Sequence, residues 1–309
     1  MRKFVRGFIL GGLVLVSTQL VAQPRALQVV VSIPPLAAMV MPLLDEEDEL
    51  IVLLDPGASP HGFQLKPSHI RQLQQADLVI TVGTGVDAWL NRALRNYNGA
   101  QLVMAETDGV DLLPKREGGV WAAPDRGHQH NHKPQAQPNS PRTDGHIWLG
   151  LANAQALITA SAQALTELNP LRAGEIQARE QEVIASLVLR NQAWSAQLAS
   201  LKDQPFVVMH DAYQYFEHSF GLNAAGTIHV NPEVPPSVRR LHELRQMMAE
   251  REVACVFKEP QFPVARLQAV VQGTEVNIGS LDPLGFDGVI RPYEAFYDRL
   301  VQDFAACFD

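Results

Sequence analysis

The chain has 309 residues, room for one large domain or two of ordinary size. With 46% hydrophobic and 19% charged residues and four Trp it can bury a sizeable core, which excludes a disordered or low-complexity protein. A formal charge of -8 argues against nucleic acid as a partner, and two Cys against ten His exclude a thiolate metal site while leaving an imidazole site open.

Arg2, Lys3 and Arg6 precede an apolar run from Phe8 to Val16, then small and polar residues to Ala22. Residues 1–22 read as a secretory signal peptide, with an apolar stretch too short to span a bilayer. The alternative is a retained anchor, but no Cys near the cut supports lipid attachment. Cleavage removes three basic and no acidic residues, taking the charge from -8 to -11, so the mature protein is expected to be exported, soluble and free of a stable membrane anchor. An oxidising compartment favours pairing of Cys255 with Cys307, worth about 4 kcal/mol in the chain-entropy model; two buried free thiols are the alternative.

Leu27–Ser32, Glu49–Leu54, Asp77–Val82 and Gln101–Ala105 then read as short strands, apolar throughout, as in a parallel sheet buried on both faces. Pro67–Gln75 reads as a helix entered through Lys66-Pro67-Ser68. Lys115–Arg142 has no hydrophobic period, carries His128, His130 and His132 at alternate positions, and is expected to be a mobile surface loop. After Asn169-Pro170, Ile176, Val183, Leu187, Trp194 and Leu198 mark one face of a helix reaching about Leu201, some 45 Å at about 1.5 Å per residue. A helix of that length can run from a first lobe into a second. A second series follows, with strands at Phe206–Met209, Ala225–His229, Val253–Lys258 and Glu275–Gly279 and helices at Ser237–Arg251 and Pro263–Gln272. The fold class is α/β, as two similar lobes, each a parallel sheet flanked by helices, joined by one long connecting helix.

Ligands of open parallel sheets bind beyond the carboxyl ends of the strands. Three expected strands run into candidate metal ligands there: the second toward His61, Phe206–Met209 into His210-Asp211, and Glu275–Gly279 toward Asp282. His146, in Asp144-Gly145-His146-Ile147-Trp148-Leu149, follows the His-rich stretch. Three imidazoles and a carboxylate suit tetrahedral Zn²⁺ and would accept other divalent first-row metals. A single His is more often a hydrogen-bonded residue than a ligand, and Asp282 also reads as a turn residue before Pro283.

The segment Gly57-Ala58-Ser59-Pro60-His61-Gly62-Phe63-Gln64-Leu65-Lys66-Pro67-Ser68 resembles the first metal-ligand motif of the periplasmic zinc-binding proteins of ABC importers (ZnuA type). The resemblance continues through Asp144–Leu149, Met209–Glu217, Val230-Asn231-Pro232-Glu233, Lys258-Glu259-Pro260-Gln261-Phe262 and Leu281–Gly285, across essentially the whole mature chain. It implies His61, His146 and His210 as zinc ligands, the long helix as a rigid connector, and a Cys255–Cys307 disulfide in the second lobe. It also implies that Zn²⁺ is cargo rather than catalyst, passed to the membrane permease of a zinc ABC importer, with a periplasmic zinc-donating protein as a further partner and a monomeric binding protein. The implied organisation is signal peptide 1–22, first lobe 23–169 with the loop 115–142, connecting helix 170–202 and second lobe 203–309. Where some members of that family carry a Glu before the first His, this chain has Pro60; Asp282 or a water is then the fourth ligand.

His128, His130 and His132 are expected to bind metal weakly, because ordering them costs roughly 1–2 kcal/mol of backbone entropy per residue. Asp45-Glu46-Glu47-Asp48-Glu49 reads as a solvated turn rather than a second metal site. Against capture and delivery stand an exported zinc-dependent hydrolase, with Glu217 or Asp211 as its base, and an extracellular zinc buffer or adhesin.

Overall fold

The computed structural model describes residues 25–116, 121, 142–229, 236–285 and 287–309. The signal segment 1–22, His128, His130 and His132, and Val230-Asn231-Pro232-Glu233 lie outside the described residues.

Eight strands form two parallel four-stranded sheets. In the first, β1 (Gln28–Val31), β2 (Glu49–Val52), β3 (Leu78–Thr81) and β4 (Ala100–Val103) stand in the order β2-β1-β3-β4. In the second, β5 (Phe206–His210), β6 (Ala224–His229), β7 (Cys255–Lys258) and β8 (Asn277–Ser280) stand in the order β6-β5-β7-β8, the same arrangement repeated. The expectation of strands covered on both faces holds for β1, β3, β5 and most of β7. It fails for β2 and β8, which are partly exposed because each lies at an edge.

The helices are α1 (Pro34–Val40), α2 (Pro67–Gln75), α3 (Asn91–Leu94), α4 (Leu151–Leu168), α5 (Ala173–Leu198), α6 (Gln214–Phe220), α7 (Val238–Glu250), α8 (Val264–Val271) and α9 (Tyr293–Ala305). Helix α5 is extended by 3-10 turns at Pro170–Arg172 and Ala199–Leu201 and buries the expected Ile176, Val183, Leu187, Trp194 and Leu198. It is fastened at both ends. Toward the first lobe, Arg172 pairs with Asp48 at 2.7 Å and Asp45 at 3.0 Å, and Arg179 pairs with Asp45 at 2.6 Å. Toward the second, Arg190 pairs with Asp298, and the Trp194 indole donates to the same carboxylate at 2.8 Å. The acidic run at 45–49 is therefore more than a solvated turn. The Asp48 carboxylate is enclosed, accepts from the Leu27 and Asp45 amides, and meets the Arg172 guanidinium.

One continuous hydrophobic core runs through both lobes, from Val29 and Leu36 by way of Trp148, Leu157 and Leu187 to Phe206 and Phe304. Polar bonds stitch the same boundary: the Trp148 indole donates to the Pro283 carbonyl at 2.7 Å, and the Tyr293 and Tyr297 hydroxyls donate to the Trp148 and Leu149 carbonyls at 2.6 and 2.7 Å. In the second lobe, Cys255 of β7 is disulfide-bonded to Cys307, just beyond α9, with Cα atoms 6.0 Å apart. Phe304 stacks on Phe257 beside that bridge and meets Phe206 edge-on. Among the described residues no helix is long and apolar enough to cross a membrane.

Candidate metal centre

The three histidines arrive from three different local structures. His61 sits in the 3-10 turn Pro60–Gly62 that follows β2, its amide donating to the Ser59 hydroxyl at 3.3 Å. Its Nε2 is buried and has no hydrogen-bond partner among the described residues. His210 is the last residue of β5 and is buried. Its Nδ1 lies 2.8 Å from Oε1 of Glu259, which directly follows β7. His146 follows a short antiparallel bridge between Pro114 and Thr143. Asp144 turns back on it, accepting the His146 amide at 3.1 Å and lying 2.8 Å from Nδ1. Gly145 is required between them, because a Cβ there would stand 2.6 Å from a Val86 methyl carbon and 2.7 Å from the Thr84 hydroxyl oxygen.

The rings converge. Their centroids are 5.1 Å (146 to 210), 5.3 Å (61 to 210) and 5.5 Å (61 to 146) apart, and one ring nitrogen from each lies within 4.8 Å of the others. The Nε2 atoms of His146 and His210 are 3.2 Å apart. A carboxylate that accepts Nδ1–H fixes the tautomer and leaves the Nε2 lone pair free to ligate. Asp144 and Glu259 thus aim two of the three imidazoles at a common point.

The electrostatics divide the set. Burial, together with the neighbouring imidazoles, holds His61 and His146 well below the usual histidine value. Burial also presses His210 down, but the charge and hydrogen bond of Glu259 outweigh it and leave His210 above that value. Burial pushes Asp144 up to about 7 against the amide and the positive groups facing it. The 3.2 Å contact between the two Nε2 atoms couples the protonation of His210 to that of His146.

Asp282 does not join the cluster. Its Oδ1 accepts the Leu284 amide at 2.9 Å and the Gln261 side-chain amide at 2.6 Å, the geometry of a turn-forming Asp before Pro283. The described residues of the stretch Lys115–Arg142 are bonded into the fold. The Lys115 amide bonds the Arg142 carbonyl at 2.7 Å, and the Arg116 guanidinium enters the second lobe to pair with both Asp211 and Glu217. Trp121 covers that guanidinium at 3.7 Å and donates its amide to the Ala225 carbonyl at 3.3 Å. Tyr215 closes the same junction, accepting the Leu113 amide at 2.8 Å and donating to the Asp144 carbonyl at 3.1 Å. Burial pushes the Asp211 and Glu217 carboxyls up, and Arg116 holds them down.

Sequence reasoning places His61, His146 and His210 together and gives no role to Asp144, Glu259 or Arg116. Glu259 was within reach of the strand-end rule, since it follows β7 as directly as His210 ends β5. Arg116 meets partners 95 and 101 residues away, for which no local pattern exists.

Two α/β lobes on a common helical spine, with three imidazoles converging on one point, define a two-lobed binding protein with a candidate metal cleft. The chain belongs to the family described as ZnuA, zinc-uptake complex component A periplasmic, whose model matches residues 29–307. It is 34% identical over 304 residues to the high-affinity zinc uptake system protein ZnuA of Yersinia pestis, covering 95% of this chain and 96% of that one. It is 30% identical over 299 residues to the protein of the same name from Brucella abortus, covering 90% and 89%. Among solved structures it resembles a crystal structure of ZnuA (TM-score 0.77, 23% identity, 92% of this chain and 100% of that one). It also resembles the periplasmic zinc-binding protein TroA from Treponema pallidum (TM-score 0.74, 20% identity, 92% and 99%).

Proposed function

We propose that the chain is a non-enzymatic periplasmic binding protein that captures Zn²⁺ through His61, His146 and His210 and delivers it to the membrane permease of an ABC-type zinc importer. The observation that carries this reading is the convergence of three buried or half-buried imidazoles, two of them aligned by carboxylates. The buried, unpartnered Nε2 of His61 fits a metal at the common point, and an all-nitrogen donor set from the protein suits zinc. Membership of a periplasmic zinc-uptake family and the names of the relatives support the cargo, the compartment and the permease partner.

Residues 1–22 act as the export signal, residues 23–169 and 203–309 form the lobes around the connector 170–202, and His128, His130 and His132 gather zinc weakly for the ordered site. A periplasmic zinc-donating protein and a monomeric state complete the reading. The hydrolase alternative loses ground because both candidate bases, Asp211 and Glu217, are paired with Arg116.

Metal analysis and chelator competition on the purified mature protein test the proposal. One tightly held Zn²⁺ per chain is expected, lost in His61→Ala, His146→Ala and His210→Ala. Unchanged tight binding in all three variants would sink it.

A further inference from the structure

The cavity that holds the three rings is also lined by Glu259 and Gln261. Each carries a buried oxygen with no hydrogen-bond partner among the described residues: Oε2 of Glu259 and Oε1 of Gln261. The orientation of Gln261 is fixed from behind. Its Nε2 donates to Asp282 Oδ1 at 2.6 Å, and that oxygen is itself held by the Leu284 amide at 2.9 Å, so the nitrogen end of the amide is committed and the oxygen end is left for another partner. Glu259 is fixed in the same way, because Oε1 holds His210 Nδ1 while Oε2 is left over. Buried acceptors of this kind are rare unless something donates to them.

We infer that Gln261 and Glu259 are the residues that hold a water as the fourth ligand of the bound metal, and that Asp282 serves only to orient Gln261. This rests on the three-histidine reading above. Both orphaned atoms are oxygens on the lining of one cavity, so a group that bridges them must offer two hydrogens while presenting a lone pair to the metal. Water does this: one O–H donates to Gln261 Oε1, the other to Glu259 Oε2, and the oxygen faces the cation. An anionic fourth ligand would meet two acceptor oxygens and no donor. Among the described residues the first lobe adds no carboxylate to the three-histidine cluster, and the residue before His61 is the apolar, buried Pro60. Glu259 then links His210 and the water through its two oxygens, so that one side chain sets two of the four coordination positions.

Zinc affinity and the visible spectrum of the cobalt(II)-loaded mature protein test the inference. Gln261→Met keeps length and loses the acceptor; it should still bind one metal per chain, with affinity lowered about ten- to hundredfold and a shifted cobalt spectrum. Asp282→Asn keeps an oxygen for the Gln261 amide to donate to, and should leave affinity and spectrum close to those of the parent. Loss of tight binding in Asp282→Asn, with folding intact by thermal unfolding, would show a carboxylate ligand and overturn the inference. Parent-like affinity and spectrum in Gln261→Met would overturn it too, while leaving the three histidines in place. A cobalt spectrum insensitive to His61→Ala, or a parent that binds no stoichiometric metal, would instead bring down both this inference and the reading beneath it.

Discussion

The first lobe offers His61 from a turn, half-buried, with only a hydroxyl at its backbone amide; the second offers His210 from the end of a central strand, buried and braced by Glu259. The two sheets have the same strand order, so the difference lies in what stands at the strand ends. Its lesson concerns preorganisation. A braced imidazole has its tautomer and ring plane fixed before metal arrives, whereas an unbraced one must give up rotational freedom on binding. Rigidity therefore comes from the braced pair, His210 of the second lobe and the Asp144-held His146 of the first, and adaptability from the unbraced His61.

The strongest attack on that contrast removes each ligand in turn. His210→Ala should abolish tight zinc binding and also destabilise the fold by about 2–3 kcal/mol, because it strands a buried carboxylate. His61→Ala should abolish tight binding with little change in denaturant midpoint; equal losses of stability in the two would break the contrast. Next, Cys255→Ala with Cys307→Ala should lower stability by about 4 kcal/mol in urea titrations while metal affinity in chelator competition changes little, since Cys255 starts β7 and Glu259 follows its far end.

Smaller effects sharpen the picture. Glu259→Gln and Asp144→Asn should each weaken zinc by about tenfold or somewhat more, measured by chelator competition. The pH dependence follows from the raised His210 and the raised Asp144. Both carry protons at mildly acidic pH without metal, and both must release them for Nε2 ligation, so zinc weakens as pH falls through their range. His61 and His146, held low, add their protons only at more acidic pH. Calorimetry in buffers of different ionisation heat should find about two protons released per zinc near pH 6 and fewer at pH 8.

Much of this architecture could be read from residue patterns. Helix α2 starts and stops where Lys66-Pro67 and Gln75 indicate, and the face of α5 is the expected one. Helix α9 is absent from the expected set although Tyr293, Phe296, Tyr297, Leu300, Val301 and Phe304 recur with alternating gaps of three and one. Helix α4 buries Ala154, Ala162 and Ser161 among its larger side chains, and such small residues give a weak periodic signal. Helix α1 is buried throughout, so it has no amphipathic period to read. Within the site, His61 and His210 announce themselves through strand ends and His146 through its motif. The junction of Arg116, Trp121 and Tyr215 with the second lobe does not, because it depends on how two distant segments pack.

Helix α5 behaves as a beam clamped at both ends. The Arg172 clamp and the Trp194 clamp are about 33 Å apart at the rise of an α-helix, with no proline between them. The elastic energy of such a beam rises steeply with curvature, and the core shared by the lobes stiffens it further. Swinging the cleft wide open is therefore the expensive route for cargo exchange. Shifting the short turn Pro60–Gly62 that carries His61 is the cheap one, so small-angle scattering profiles of the loaded and metal-free protein should nearly superimpose even while zinc comes and goes.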